Sequence, residues 1–166
     1  MTATAQAAPD ELPSLELVLE QVEKQLHLQW QHWDQVDGRL RLLLGFVGAI
    51  FVAILAFAGR GDPLPRAATG LALASISLLI ASGVIAGLAW LPREFQLPPN
   101  PRALREDYVV RSVADTQLAV VDIMVEAYDK NQRRIEEKLG AFRSAAALFA
   151  AAVGLIAVAA AVALTQ

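Results

Sequence analysis

The stretch LRLLLGFVGAIFVAILAFA, Leu40 to Ala58, decides the fold. Arg41 is its only charge. At 1.5 Å rise per residue, a run of about 20 residues crosses a hydrocarbon core of roughly 30 Å. Two more such runs follow, Leu71 to Leu91 and Ala145 to Leu164, and neither contains an ionisable side chain. The expected fold class is therefore all-α: a polytopic integral membrane protein with three transmembrane helices. Composition agrees, with 55% hydrophobic residues and a mean hydropathy of +0.43 over 166 residues.

Outward from these runs, the chain divides as follows. Residues 1–9 read as a disordered leader. Residues 10–39 read as a cytoplasmic amphipathic helix, with Asp10 or Ser14 as its cap. Its seam is Leu15, Leu19, Val22, Leu26, Trp33, Val36 and Leu40, in steps of four and three broken only at Gln29. Residues 40–59 are transmembrane helix 1, where Gly45, Ala49 and Ala53 make a small-residue stripe. Residues 60–69 are a tight outer loop rich in Pro and Gly. Residues 70–91 are transmembrane helix 2, with Ser75 and Ser82 on one face and Gly83 and Gly87 as a GxxxG pair.

Residues 92–114 hold four of the eight prolines and read as an extended cytoplasmic strap, ending in a short helical piece near Ala103 to Val113. Residues 115–142 read as a second cytoplasmic amphipathic helix capped by Asp115. Its seam is Leu118, Val121, Val125, Tyr128, Ile135, Leu139 and Phe142, broken at Gln132. Residues 143–164 are transmembrane helix 3. No proline interrupts either amphipathic helix before its span, so both are expected to continue into spans one and three. Gly38, Gly45 and Gly140 are the places where a bend is expected.

The distribution of Lys and Arg sets the expected orientation. Three lie in the N-terminal segment, two in the outer loop, nine between spans two and three, and none after the last span. The expectation is a multi-pass arrangement with the N-terminus cytoplasmic and the C-terminus outside. The two long helices leave apolar faces that copies of the chain would bury, so a homo-oligomer with coiled-coil character is expected. Gln29 lies 11 residues before Leu40, and Gln132 lies 10 before Phe142. Each therefore sits roughly 15 Å from its span, at one height. They are candidates for a register-setting polar layer; the alternative is that each faces solvent at the seam's edge.

The chemistry-bearing residues are few. Cysteine is absent, which removes disulfides and thiolate sites. His27 and His32 are five apart and point to different helix faces, so no metal site is read there. No cofactor motif, P-loop, GxGxxG or HExxH appears, and no paired carboxylates lie in a span; an enzyme is not expected. With a net charge of −3, no nucleic-acid partner is read either. Ser75 and Ser82 are candidate pore-lining residues, with tight helix packing as the alternative. Arg39, Arg41, Arg102, Arg105, Arg133 and Arg134, with Arg111, are candidate contacts for an anion or for lipid of the bilayer; the alternative is positive-inside bias and solvated faces. Trp30 and Trp33 are candidates for ligand stacking, or in the case of Trp33 for core packing.

One pattern resembles a known family. A helix ending in Asp37, a basic residue two later (Arg39), and then LLLGFVGAIFVAILA is similar to the start of transmembrane effectors of bacterial cyclic-nucleotide antiphage systems, the Pycsar type, and of the related SLATT domains. The Leu91-Pro92-Arg93 end of span two fits, as does the late helix with Tyr128 and Arg133-Arg134 leading into a final span. The resemblance covers roughly Gln29 to Leu164. It implies an antiviral defense effector that permeabilises the inner membrane as an ion channel or by disrupting the bilayer. With no separate cyclic-nucleotide-binding domain, it also implies a cytoplasmic nucleotide-sensing or signalling partner, or sensing by the stalk itself. The reading from another class is a non-conducting membrane anchor or scaffold whose stalk recruits a cytoplasmic partner.

Overall fold

The computed structural model describes residues 13–58, 65–92, 95–96, 102, 106 and 111–165. Among them are three long helices: α1 (Pro13–Ala58), α2 (Arg66–Trp90) and α3 (Val113–Leu164). All three are long and apolar enough to cross a membrane. Each of α1 and α3 is one uninterrupted helix through Gly38, Gly45 and Gly140. The leader, the strap residues 97–101, Arg93, Arg105 and most of the outer loop, with Asp62, lie outside the described residues. So does most of the short helical piece, although Arg102 and Glu106 have helical backbone.

Local chemistry sets the helix ends. Pro13 opens α1, where its missing N–H costs nothing. At α2, the Thr69 N–H and hydroxyl both donate to Pro65 O, at 2.9 and 3.2 Å. Its other end stops at Leu91, whose ψ of 140° is the extended conformation that the following proline imposes. At α3 the expected cap is displaced. Ser112, not Asp115, precedes the first helical residue: its Oγ accepts from the Asp115 N–H at 3.1 Å and donates to Asp115 Oδ2 at 2.8 Å. Asp115 is the third helical residue, and its carboxylate accepts from the same hydroxyl that caps its N–H.

The chain forms two compact units. Unit 1 comprises residues up to His32 and Glu94–Arg134. Here α1 buries Leu15, Leu26 and Gln29, on the face expected from sequence. On α3 the expected seam is followed in part. Val121, Met124, Ala127 and Asn131 are buried, whereas Leu118 and Val125 are exposed. Asn131 joins the packed face because it finds partners inside the unit. It accepts from the Gln96 N–H at 3.0 Å and donates to Gln96 O at 2.9 Å.

Unit 2 comprises Trp33–Arg93 and Ile135–Gln166. Its core is Val36, Leu40 and Leu43 of α1, Ala86 and Ala89 of α2 and Ala145 of α3, with Ile85, Leu139, Phe142 and Phe149 packed around it. The alanines keep helix axes close, which matters in lipid, where apolar surface is equally content against acyl chains. The buried face of α2 is Ser75, Leu79, Ser82, Ala86 and Ala89, in steps of four and three. Of the GxxxG pair only Gly83 meets a neighbour, with Val47 Cγ1 3.4 Å from where its Cβ would stand. The Gly45, Ala49 and Ala53 stripe of α1 is exposed, and a Cβ at Gly45 would meet nothing within 4 Å among the described residues.

Ser112→Ala removes both bonds of the α3 cap. The expected loss is about 1 kcal/mol of local stability. It is checked by faster amide exchange at Asp115 and Thr116, with exchange in the middle of α3 unchanged.

Candidate functional site

Unit 2 holds a buried charge that the sequence reading counted only as a flanking cation. Lys138 of α3 has 1% of its side chain exposed, and its Nζ donates to Asp37 Oδ1 at 2.6 Å. The same Nζ stands 3.7 Å from the ring centroid of Trp33. Asp37 and Trp33 are four residues apart on α1, so one turn brings carboxylate and indole to the same ammonium. Asp37 is 18% exposed, which leaves one edge of the pair open to solvent or headgroups. The indole face supplies negative quadrupole where water would otherwise solvate the cation. Trp33 therefore packs in the core, as one of the two sequence readings had it, and also holds a charge.

The candidate pore-lining serines lie on a helix–helix contact. Ser75 Oγ donates to Ala152 O at 2.9 Å, and Ser82 Oγ donates to Ala145 O at 2.8 Å. Both serines are fully buried between α2 and α3. Their hydroxyls are thus used on the contact between α2 and α3, the helix packing that the sequence offered as the alternative to pore lining.

In unit 1 the structure brings Gln29 and Gln132 together. Gln29 Nε2 donates to Gln132 Oε1 at 3.2 Å and to Tyr128 O at 3.1 Å. Gln29 is buried, and its Oε1 has no donor among the described residues. Gln132 is half-buried. Trp30 meets Phe95 edge-to-face at 5.1 Å beside a hollow of about 320 Å³ lined also by Glu23, His27 and Met124. His27 shares a 3.1 Å hydrogen bond with Gln31, and His32 is exposed. On the water side of α3, a hydrogen bond from Lys130 and its charge hold the Glu126 carboxyl below its ordinary pKa.

Of the candidate anion contacts, Arg39 and Arg41 belong to unit 2, and Arg102, Arg111, Arg133 and Arg134 to unit 1. Arg39, Arg41, Arg102, Arg111 and Arg133 are exposed; Arg41 approaches Asp34 at 4.0 Å. Arg134 is half-buried, with Nη1 lacking an acceptor among the described residues. Also among the described residues, no three His, Asp or Glu side chains are grouped to hold a metal. No protein-family model, curated protein or solved structure matches this chain.

Two predictions come from this geometry. Asp37→Ala leaves the Lys138 ammonium buried without its carboxylate, at an expected cost of about 3–5 kcal/mol. The double variant Asp37→Ala, Lys138→Met recovers most of that, read as thermal midpoints in detergent. Ser75→Ala and Ser82→Ala each cost about 0.6 kcal/mol, the usual worth of a hydrogen bond between helices in lipid. A chemical-unfolding series in mixed micelles checks the second.

Proposed function

We propose that this chain is a homo-oligomeric, multi-pass protein of the bacterial inner membrane that acts as an effector, breaching the permeability barrier when its cytoplasmic part is engaged. The N-terminus and the segment between α2 and α3 lie in the cytoplasm, following the lysine and arginine bias, and the C-terminus lies outside. Three long apolar helices support the membrane placement, as do outward-facing large side chains such as Leu42, Phe46, Val52, Leu73, Leu88 and Val158.

The observation that carries the effector reading is the partner of Asp37. This residue closes the motif that resembles the antiphage effectors, and it neutralises the buried Lys138. An effector needs an element with two discrete states. A buried ion pair is one: closed, it ties α1 to α3; open, it puts a charge into the apolar layer and draws in water. A cytoplasmic nucleotide-sensing or signalling partner supplies the trigger.

The anchor or scaffold reading has one observation in its favour. Ser75 and Ser82 close α2 onto α3, and no hydroxyl of theirs is left for a conducting path. Potassium efflux from liposomes separates the two. The effector reading expects release by the wild type that rises several-fold for Asp37→Asn, in preparations whose helicity and melting show a folded protein. Liposomes that stay sealed with both proteins, at every density tested, leave only the anchor.

A further inference from the structure

We propose that unit 1 carries a binding site for a small organic cation, an ammonium borne on an aromatic or apolar body, in the hollow of about 320 Å³ beside Trp30. The site is independent of the effector reading and holds whether or not the chain conducts.

Three segments of the unit build the hollow. Glu23, His27 and Trp30 step by four and three along α1 and so share one face. Leu26 and Met124, both buried, form the floor. Phe95 and Gln96 close the side. Asn131, fully buried, takes both the N–H and the carbonyl of Gln96, at 3.0 and 2.9 Å. That holds Phe95 beside Trp30, edge-to-face at 5.1 Å. The wall is therefore formed before a ligand arrives, which spares part of the ordering cost of binding.

Charge and apolar surface are separated along the hollow. At 1.5 Å per residue, Glu23 and Trp30 lie about 10 Å apart along the helix axis. Trp30 keeps 49% of its surface exposed even with Phe95 against it, although tryptophan is mostly buried in folded chains. Glu23 is the one charged side chain of the lining, and it has no ion-pair partner among the described residues. Glu16 and Glu20 lie on the same side of α1, whereas Lys24 is turned about 100° from Glu23.

This arrangement selects its ligand. The carboxylate takes an ammonium through charge-assisted hydrogen bonds. The indole, the Phe95 ring and the Met124 thioether take an apolar or aromatic body at the other end. An anion meets Glu23 with no lysine or arginine in the lining to offset it, which excludes phosphates and nucleotides. A neutral body of the same shape leaves the carboxylate unused. The volume is close to the lower bound of roughly 300 Å³ for small-molecule pockets, so one ring with a short arm is the fitting size. Unit 2 uses the same chemistry on a tethered cation: the Lys138 ammonium, on its four-carbon stem, lies between the Asp37 carboxylate and the Trp33 indole.

The test titrates 2-phenylethylammonium into the full chain in lipid nanodiscs by calorimetry, with empty nanodiscs as the blank. The expected result is saturable binding, about fivefold tighter than that of the neutral 2-phenylethanol, with none by the anionic 3-phenylpropanoate. Glu23→Gln keeps the shape and removes the charge; it weakens the ammonium about fivefold and leaves 2-phenylethanol unchanged. Trp30→Leu weakens both ligands about fivefold. Glu20→Gln, three residues back and outside the lining, leaves both as they were. Glu20, Glu23 and Trp30 are exposed, so the variants keep the fold, and circular dichroism checks it. No saturable binding by the folded wild type overturns the site. So does equal affinity for the ammonium and the alcohol, or an equal loss from Glu20→Gln and Glu23→Gln, which would mean attraction to an acidic surface alone.

Discussion

A lysine ammonium has been taken out of water in the unit that carries the apolar helices, and this is the constraint on which that unit depends. An unpaired charge in such a place costs several kcal/mol. The cost is met by a carboxylate at 2.6 Å and an indole face at 3.7 Å, both from one turn of α1. The contact fixes the rotation of α1 against α3, because only one face of α1 presents Trp33 and Asp37 together. Val36 and Leu40 then follow on the same side, and the core of unit 2 closes around them.

In lipid the hydrophobic effect does not press helices together, so packing must come from small residues and directed polar contacts. Unit 2 uses both. Alanines on α2 and α3 let backbones approach, and two serines on α2 donate to carbonyls of α3. The ion pair and the serine bonds are three directed contacts on three helices. Large apolar side chains fill the outward positions, where they meet acyl chains at no cost.

Much of the fold was legible because it follows from length and period. Three apolar runs give three helices, and the α1 seam from Leu15 to Leu40 is the face that packs. The α3 seam was legible in part: Val121 and Ile135 are buried and Leu139 and Phe142 pack on the core, while Leu118 and Val125 are exposed, because an apolar stripe cannot show where a polar side chain finds a partner. Asn131 and Lys138 join the packed face of α3 through Gln96 and Asp37, residues far away in sequence. The signal available was Asp37 itself: a carboxylate three residues before an apolar span asks for a cation, and Lys138 was the cation on the facing helix. The serines carried two readings, a pore-lining face and a packing face, and they lie on a contact between α2 and α3. Spacing alone does not separate the two, since both require residues seven apart. Ser112 was passed over as a cap for a better-ranked aspartate three residues on, although that spacing is the mark of a capping box.

The chain has three lysines, Lys24, Lys130 and Lys138, which allows the burial of the ammonium to be measured directly. An amine-acylating reagent is applied to the folded protein in lipid nanodiscs, and each lysine is read by peptide mass. The account predicts rapid modification of Lys24 and Lys130 and protection of Lys138 until the protein is unfolded. Modification of Lys138 in the folded protein at the rate of Lys130 would contradict it.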